Sequence, residues 1–380
     1  MHTHTLIFTG NSYPSISLAA AATAALAARD GYRTLLISTG PQHSINTLLQ
    51  HSPTSTPITA VPGLDVWALN TPALLAEYLE RIRPQLQVFP ALAQISGDEL
   101  PLLPGVEIFL VVEYLSRLPT NQYQMIVLDA GGQDGLLRML AFPDSVRWGI
   151  RIGLGLDREP GRSMASVGRA LMPTSLLPRE WLDPVQELRV QFERVRDQVA
   201  ARAQVRYVLR PDLFALEEAK LVVPALHLHG TAVDGIILAP LLPPDLADAR
   251  LAGSSEQQRI VQAEAARLWG LPVLGMPVWA AAGNFDELAQ TGYQMYQGHT
   301  LAQLADITAP ISYSLDGQPA IVITLPGLQR DALSLTMSGD ELIVRVGPYR
   351  RHILLPDGLR GVANIRASRE GGRLVVRQRT

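Results

Sequence analysis

The apolar positions of the first 298 residues fall into short continuous runs, separated by longer stretches in which apolar residues have helical spacing. Continuous apolar runs bounded by turn residues are typical of strands that are buried on both faces. These runs predict strands at residues 6–8, 34–37, 65–69, 125–129, 206–209, 233–238 and 273–276. The stretches between them predict helices at residues 17–28, 72–94, 104–117, 214–223 and 255–269, with residues 134–202 mostly helical. Alternating strands and helices indicate an α/β fold, a doubly wound, mostly parallel sheet with a helical insertion.

The pattern changes after residue 298. Between residues 311 and 377 the apolar residues form short runs at 320–325, 332–337, 342–346, 352–355 and 374–376. Turn signals such as Asp-Gly, Pro-Gly and Gly-Gly separate these runs, which is typical of antiparallel strands. This part predicts a small all-β sandwich. We therefore expect two domains, an α/β domain at residues 1–298 and a β-sandwich at residues 311–380.

The first predicted strand leads through a loop into the Ala-rich helix predicted at residues 17–28. Nucleotide-binding α/β folds hold the phosphates at this place. A Walker A loop has the pattern G-x-x-x-x-G-K-[ST], because small residues let backbone N–H groups close on the phosphates and the Lys reaches the terminal ones. The candidate nucleotide-binding residues at the corresponding positions are Gly10, Asn11, Ser12, Tyr13, Pro14, Ser15, Ile16 and Ser17.

Most of these residues lack the chemistry that a phosphate requires. The second Gly of the pattern is Ser15 and the Lys is Ile16, so only the first Gly and the final hydroxyl remain. Pro14 has no N–H group to offer, and Tyr13 brings a ring where close backbone approach is needed. The chain has a single lysine, Lys220, so no neighbouring Lys can replace the missing one. The loop keeps the position of a phosphate-binding loop without its functional groups.

The composition narrows the class of protein. With 380 residues, 47% of them hydrophobic and 18% charged, the chain is globular and long enough for a sizeable core. A net charge of −3 gives no reason to expect a nucleic-acid partner. The absence of cysteine excludes disulfides, Cys-ligated zinc and a thiol nucleophile, and His227 and His229 have no third ligand nearby, so we predict no metal site. The apolar run at residues 18–28 is too short to cross a membrane and no basic signal-peptide region precedes it, so we expect a cytoplasmic location.

Three further stretches follow one another along the α/β part. They are LLISTGPQHSI at residues 35–45, IVLDAGGQDGLLRML at residues 126–140 and YVLRPDLFALEEAK at residues 207–220. In order and spacing they resemble switch I, switch II and the strand–helix before the adenine-contacting segment of the ArsA-type family, the arsenite-pump and tail-anchored-protein-targeting ATPases with a deviant Walker motif. The resemblance covers about residues 1–300. Residues 311–378, with VGPYRRHILLP, resemble the small-heat-shock (α-crystallin-like) domain that one branch of the family carries.

The resemblance assigns roles to single positions, and most of them have lost the required group. The switch I Asp that orients the attacking water corresponds to Gly40, the signature Lys that reaches across the dimer to Asn11, and the adenine-contacting Asn to Ala239. Arg138 of switch II and the Walker B carboxylate of Asp129 are kept. Asp129 is either a remnant of a Mg²⁺ site or a cap of the Gly turn that follows it, and we favour the second interpretation. The pattern predicts a pseudo-ATPase without catalytic residues; no cofactor is expected, and weak binding of ATP or ADP with Mg²⁺ stays open.

In this family, nucleotide opens and closes a dimer over a groove that holds hydrophobic clients. The predicted helices at residues 70–118 and 135–202 would form the client subdomain, although the apolar stripe at residues 185, 188, 192, 195 and 199 by itself indicates packing within its own domain. The resemblance therefore implies a homodimer that holds or targets hydrophobic helices of membrane-protein clients. Two alternatives are a slow or anion-linked ATPase that uses Ser17 and Asp129 on Mg²⁺, and a non-catalytic scaffold that pairs with an intact paralogue.

Overall fold

The structure is a computed structural model that describes residues 3–39, 54, 56–86, 94–103, 105–119, 122–154, 182–244, 248–278, 284–305, 308–362 and 364–378. Gly40 and residues 41–45 of the stretch that resembles switch I lie outside the described residues, whereas residues 35–39 of that stretch are described. So do residues 155–181 of the predicted helical insertion. The described residues form one large sheet with helices, followed by two smaller sheets.

The large sheet has eight strands. They are β1 (His4–Gly10), β2 (Thr34–Ser38), β3 (Ile58–Val61), β4 (Leu64–Ala68), β5 (Met125–Gly132), β6 (Ala203–Leu209), β7 (Ala232–Leu241) and β8 (Val273–Pro277). Their order across the sheet is β3-β4-β2-β5-β1-β6-β7-β8, and all neighbouring pairs are parallel except the edge pair β3–β4. Strands such as β2 are buried along their whole length, because helices cover both faces of the sheet. The predicted doubly wound, mostly parallel sheet is confirmed.

Eight α-helices accompany this sheet in the described ranges. They are α1 (Tyr13–Arg29), α2 (Thr71–Leu86), α3 (Val106–Leu115), α4 (Gln133–Leu154), α5 (Leu182–Arg202), α6 (Leu213–Leu228), α7 (Ala252–Trp269) and α8 (Phe285–Tyr296). Helices α1 and α8 form one apolar core with the sheet, and α2 to α7 contribute to a second core on its other face. The small residues of α1 allow close packing: a Cβ on Gly292 of α8 would lie 2.4 Å from the Ala22 carbonyl oxygen.

The C-terminal part consists of two antiparallel sheets. Its strands are β9 (Ile311–Leu315), β10 (Gln318–Thr324), β11 (Leu333–Ser338), β12 (Glu341–Val346), β13 (Tyr349–Leu354), β14 (Ile365–Glu370) and β15 (Arg373–Gln378). One sheet has the order β14-β15-β10-β9 and the other the order β11-β12-β13. The two sheets share an apolar core, to which α6 contributes the fully buried Leu228. The predicted all-β part is confirmed, and α6 lies between it and the large sheet.

The helix predicted at residues 72–94 is described as far as Leu86, and residues 87–93 lie outside the described residues. Two other predicted limits are wrong. The helix predicted to end at residue 223 continues through Pro224 to Leu228. Pro224 removes one backbone donor, but the burial of this helix from both sides outweighs that loss. The strand predicted at residues 125–129 extends to Gly132, so the glycines after Asp129 are part of β5 and not a free turn. No helix of the described chain is long and apolar enough to span a bilayer.

Candidate functional site

The carboxyl ends of β1 and β5 meet in the middle of the large sheet. From β1 the chain runs through α1 to β2 on one side, and it later reaches β6 on the other side. Such a reversal of strand order leaves a crevice beyond the carboxyl ends, where open α/β sheets bind their ligands. We call residues 10–17, 38–39, 129–132 and 239 the carboxyl-edge site.

Gly10 ends β1 in very close contact with β6. A Cβ at this position would lie 2.0 Å from the Val208 carbonyl oxygen, so only glycine fits. The backbone N–H of Asn11 then donates to the same carbonyl oxygen at 3.1 Å. The chain is therefore fixed against β6 at the point where a phosphate-binding loop would leave the sheet.

The loop predicted at residues 10–17 is shorter in the structure, because α1 begins at Tyr13. Pro14 suits a first helical turn, since its ring fixes a helical φ and its missing N–H is not needed there. The Ile16 N–H donates to the Ser12 carbonyl oxygen at 3.1 Å, and the Ile16 side chain is 0% exposed in the core of α1 and β1. The backbone that would have to curl around phosphates is thus a helical turn, and the residue at the Lys position packs in the core.

Asn11, at the position of the signature lysine, is held by α6. Its Nδ2 donates to the Ala215 carbonyl oxygen at 3.0 Å and to Glu218 Oε2 at 3.1 Å. Its Oδ1 accepts from the Arg210 backbone N–H at 3.1 Å. The amide thus has partners at both ends and joins the loop to the start of the neighbouring helix.

Ser12 connects the loop to the position that the resemblance assigns to adenine contact. Its hydroxyl donates to the Ala239 carbonyl oxygen at 2.7 Å and lies 3.1 Å from the Ser15 hydroxyl. Ala239 itself is 0% exposed at the end of β7. This position therefore contributes a buried main-chain acceptor that is already bonded within the fold.

Asp129 is the centre of the polar groups at this edge. Its Oδ2 accepts from the Ser17 hydroxyl at 2.7 Å and the Ser38 hydroxyl at 3.1 Å, and its Oδ1 accepts from the Gly131 N–H at 3.0 Å. The side chain is 0% exposed. Burial raises the pKa of Asp129 above its ordinary value, and the hydrogen bonds from Ser17, Gly131 and Ser38 oppose that rise. The Gly131 bond is the cap that the sequence suggested, formed here within β5.

Tyr13 lies over the end of β5. Its side chain is 58% exposed, yet its ring is so close to Gly132 that a Cβ there would lie 2.7 Å from Tyr13 Cε2. The phenol therefore covers part of the space between the start of α1 and the end of β5. The hydroxyl of Ser17 and the carboxylate of Asp129 lie beneath this turn and bond to each other.

The two histidines considered as metal ligands, His227 and His229, are buried in the fold. His227 Nε2 accepts from the Val233 N–H at 3.0 Å. Among the residues that the structure describes, no group of three or more His, Cys, Asp or Glu side chains could hold a metal ion.

An apolar cavity that the sequence did not identify lies among α2, α3, α4 and α5. It has a volume of about 150 Å³, and its lining is almost entirely apolar. Phe192 of α5 lies at its wall, with ring centroids 4.9 Å from those of both Phe109 and Phe142. Burial raises the pKa of Tyr78, also in the wall, to about 12, so its phenol is neutral. The stripe at residues 185–199 was the available signal, because residues 192 and 195 of that stripe line the cavity.

This fold and site define an α/β protein of the P-loop NTPase-like class. The sequence profile of anion-transporting ATPases matches residues 5–278, and that of the HSP20-like domain found in ArsA matches residues 316–377. Because the first match covers well over half of the chain, the protein belongs to the ArsA-type anion-transporting ATPase family, and it carries the HSP20-like domain of that family.

Several relatives match along nearly the whole length. An uncharacterized protein of Streptomyces coelicolor is 28% identical over 395 aligned positions, which cover 98% of this chain and 96% of that protein. A putative arsenical pump-driving ATPase of Prosthecochloris vibrioformis is 23% identical, covering 94% of this chain and 91% of its own. A putative arsenical pump-driving ATPase 1 of Aquifex aeolicus is 22% identical, covering 98% of each. The alignments therefore extend over both matched domains of this chain.

Proposed function

We propose that this chain is a non-catalytic ArsA-type protein that holds hydrophobic helical segments, such as those of membrane-protein clients. In this proposal it works in the cytoplasm as a homodimer, and ATP hydrolysis plays no part in client binding. Two features of the chain support this function separately. The carboxyl-edge site lacks the groups that ATP hydrolysis needs, and the cavity among α2 to α5 offers an apolar binding site.

The proposed loss of ATP hydrolysis is supported by the main chain and side chains at the carboxyl-edge site. Phosphate cradles depend on several free N–H groups and a cation, and charge-assisted contacts of this kind contribute roughly 1.5–3 kcal/mol each. Here the Asn11 N–H is bonded to Val208, the Ile16 N–H is bonded within α1, and Pro14 has none. No lysine lies at the loop, and the only one in the chain, Lys220, pairs with Glu217 at 2.6 Å. These losses favour a site without hydrolysis.

The proposed binding of hydrophobic segments rests on one observation, the apolar cavity among α2 to α5. Its polar lining is minimal, and Leu103 in its wall and the adjacent Leu102 are 51% and 55% exposed. Each buried CH₂ group of a ligand would gain about 0.8 kcal/mol here. An apolar side chain of a client helix that entered the cavity could therefore be held without any nucleotide.

The test is binding of a fluorescent Leu/Ala-rich helical peptide to the full chain, together with suppression of aggregation of a model client. Phe192→Glu places a charge in the cavity wall and should weaken peptide binding at least about ten-fold. Val190→Glu is the matched control, because Val190 is 40% exposed on the same helix and does not line the cavity. Equal affinity of Phe192→Glu and wild type would contradict the proposal. A chain that binds no peptide alone but co-purifies with a P-loop-competent paralogue would support the scaffold alternative.

A slow ATPase is the second candidate, and one contact favours it. Ser17 Oγ lies 2.7 Å from Asp129 Oδ2, and a P-loop hydroxyl with a Walker B carboxylate is the pair that holds Mg²⁺ in P-loop NTPases. Calorimetric titration with Mg-ATP and Mg-ADP tests this candidate directly. Turnover that Asp129→Asn abolishes would establish it and exclude the non-catalytic assignment. We expect neither binding nor turnover.

A further inference from the structure

A second cavity, of about 520 Å³, lies between α4 and the hairpin of β12 and β13. We call it the interdomain groove. One wall is a face of α4, along which Arg138, Ser145 and Trp148 follow at helical spacing. Tyr349 and Arg350 of the hairpin form the other wall. The volume is typical of sites for small molecules, which occupy roughly 300–1,000 Å³.

Two arginine side chains of the groove carry unpaired positive charge. Arg138 and Arg350 are exposed, and neither forms an ion pair or a hydrogen bond with any residue in the described ranges. The acid at the base of the groove, Asp144, is already engaged. It accepts from Arg196 Nη1 at 2.9 Å and from the backbone N–H of His352 at 3.1 Å. Its charge is thus not available to neutralise the two free guanidinium groups.

The other titratable groups leave an excess of positive charge. His229 on the floor is 1% exposed, and burial lowers its pKa to about 3, so the ring is neutral at pH 7. Asp134 lies at the end of the groove near β5 as an exposed carboxylate, and it opposes an anion. Among the groups that line the groove, Arg138 and Arg350 therefore face one carboxylate, Asp134, that has no partner in the described ranges. Glu218 of α6, whose charge also acts on Tyr349, adds a carboxylate beside the groove and accepts a hydrogen bond from Asn11 Nδ2 at 3.1 Å.

The groove also offers an exposed aromatic surface. Trp148 is 53% exposed, and an indole with an open face can stack on a planar group. Tyr349 lies half-buried on the opposite wall, where burial raises its pKa to about 12, so its phenol keeps its proton as a hydrogen-bond donor. An aromatic ring would thus find an indole and a neutral hydroxyl beside the two arginines.

We propose that the interdomain groove binds a small aromatic anion, a planar ring that carries a carboxylate or a phosphate ester. Arg138 and Arg350 take the anionic group, because the planar fork of a guanidinium matches the oxygens of both. Trp148 stacks on the ring. The site uses neither the apolar cavity nor the carboxyl-edge site, so it stands or falls independently of the proposed function.

Calorimetric titration of the full chain with phenyl phosphate and with benzoate tests the proposal. Arg138→Ala and Arg350→Ala should each weaken binding of both probes about ten-fold, since each removes a charged donor. Arg345→Ala is the matched control, because Arg345 is an exposed arginine on β12 that lies outside the groove. Asp134→Asn removes the opposing charge and should tighten binding.

The aromatic part has a separate readout. Trp148→Ala should weaken binding of phenyl phosphate and leave the weaker binding of inorganic phosphate unchanged. The proposal is overturned if neither probe binds at millimolar concentration, or if Arg345→Ala weakens binding as much as Arg138→Ala does. Equal affinity for inorganic phosphate and phenyl phosphate would overturn the aromatic assignment. All five substituted positions are exposed, so circular dichroism should show folded variants throughout.

Discussion

The carboxyl-edge site differs from the junction between the large sheet and the C-terminal sheets in how completely its polar side chains are hydrogen-bonded. At the carboxyl-edge site, Asp129 and Asn11 bond to neighbours within the fold through all their side-chain polar atoms. At the junction, the buried Nδ1 of His229 and Nε of Arg351 have no hydrogen-bond partner among the described residues, and Arg138 is exposed and unpaired. A ligand at the first place must displace existing bonds, whereas one at the second can add new bonds. The region that resembles an ATPase site is thus the less available of the two.

The largest expected effect that distinguishes the two regions is a loss of stability at acid pH, caused by the buried histidines of the junction. Burial lowers the pKa of His227 to about 4 and that of His229 to about 3, from an ordinary value of 6.5. Below pH 6.5 the unfolded chain binds protons that the folded chain refuses, so the free energy of unfolding falls as the pH falls from 6.5 towards 4. At pH 5 each histidine should cost about 2 kcal/mol, and the two together about 4 kcal/mol.

Urea unfolding at pH 7.5 and pH 5.0 measures this loss. His227→Gln keeps an acceptor for the Val233 N–H and should remove about half of the difference between the two pH values. The surface replacement His299→Gln is the matched control and should leave the difference unchanged. If His227→Gln retains the full pH dependence of the wild type, the buried histidines are not its source.

The second effect tests how tightly the carboxyl-edge site is closed. Gly10→Ala would place a Cβ 2.0 Å from the Val208 carbonyl oxygen, so two strands of the sheet would have to separate. We expect a loss of about 3 kcal/mol in the free energy of unfolding. Gly131→Ala should cost only about 1 kcal/mol, because its φ of +64° is disfavoured for alanine but no atom lies within 4 Å of the added methyl. Similar losses in both variants would mean that the close approach of β1 to β6 is not what holds this edge.

The smallest effect separates the hydrogen bonds of Asp129 from its charge. Asp129→Ala leaves Ser17, Ser38 and Gly131 without their acceptor and should cost about 2 kcal/mol. Asp129→Asn keeps an acceptor, and since burial raises the pKa of this carboxyl, loss of the charge should cost less than about 1 kcal/mol. Thermal unfolding of both variants decides between these values. An Asn variant as unstable as the Ala variant would show that the negative charge of Asp129 itself stabilises this edge of the sheet.

The sequence predicted the sheet because its strands are continuous apolar runs, as at residues 34–37 for β2. It failed at the start of α1, where the spacing of a phosphate-binding loop was imposed on residues 10–17. Pro14 was a local signal for an earlier helix start. The sequence-based prediction also missed α8. The Asn284 side chain accepts from the Glu287 N–H at 3.0 Å, and Asn followed three residues later by Glu is a recognisable capping pattern. In both cases a residue near the helix start, Pro14 or Asn284, was a local sequence signal for the helix.

The closure of the carboxyl-edge site could not have been predicted in this way. The bonds from Ser12 to Ala239 and from Asn11 to Ala215 join residues that are 227 and 204 positions apart. Such contacts depend on strand order and register, which no local pattern contains. The interdomain groove has the same origin, because Arg138 and Arg350 come together only when the C-terminal sheets pack beside α4.

Helix α4 begins directly after the last residue of β5, and its flanks face different neighbours. Met139 and Phe142 lie in the wall of the apolar cavity, while Asp144 bonds to the β13 backbone at His352. A peptide bound in that cavity and a small molecule bound in the groove would therefore both contact α4. By thermodynamic linkage, if one ligand changes the affinity for the other by some factor, the second ligand changes the affinity for the first by the same factor. Such a coupling would run through α4 from the apolar cavity to the C-terminal sheets and would not involve a nucleotide.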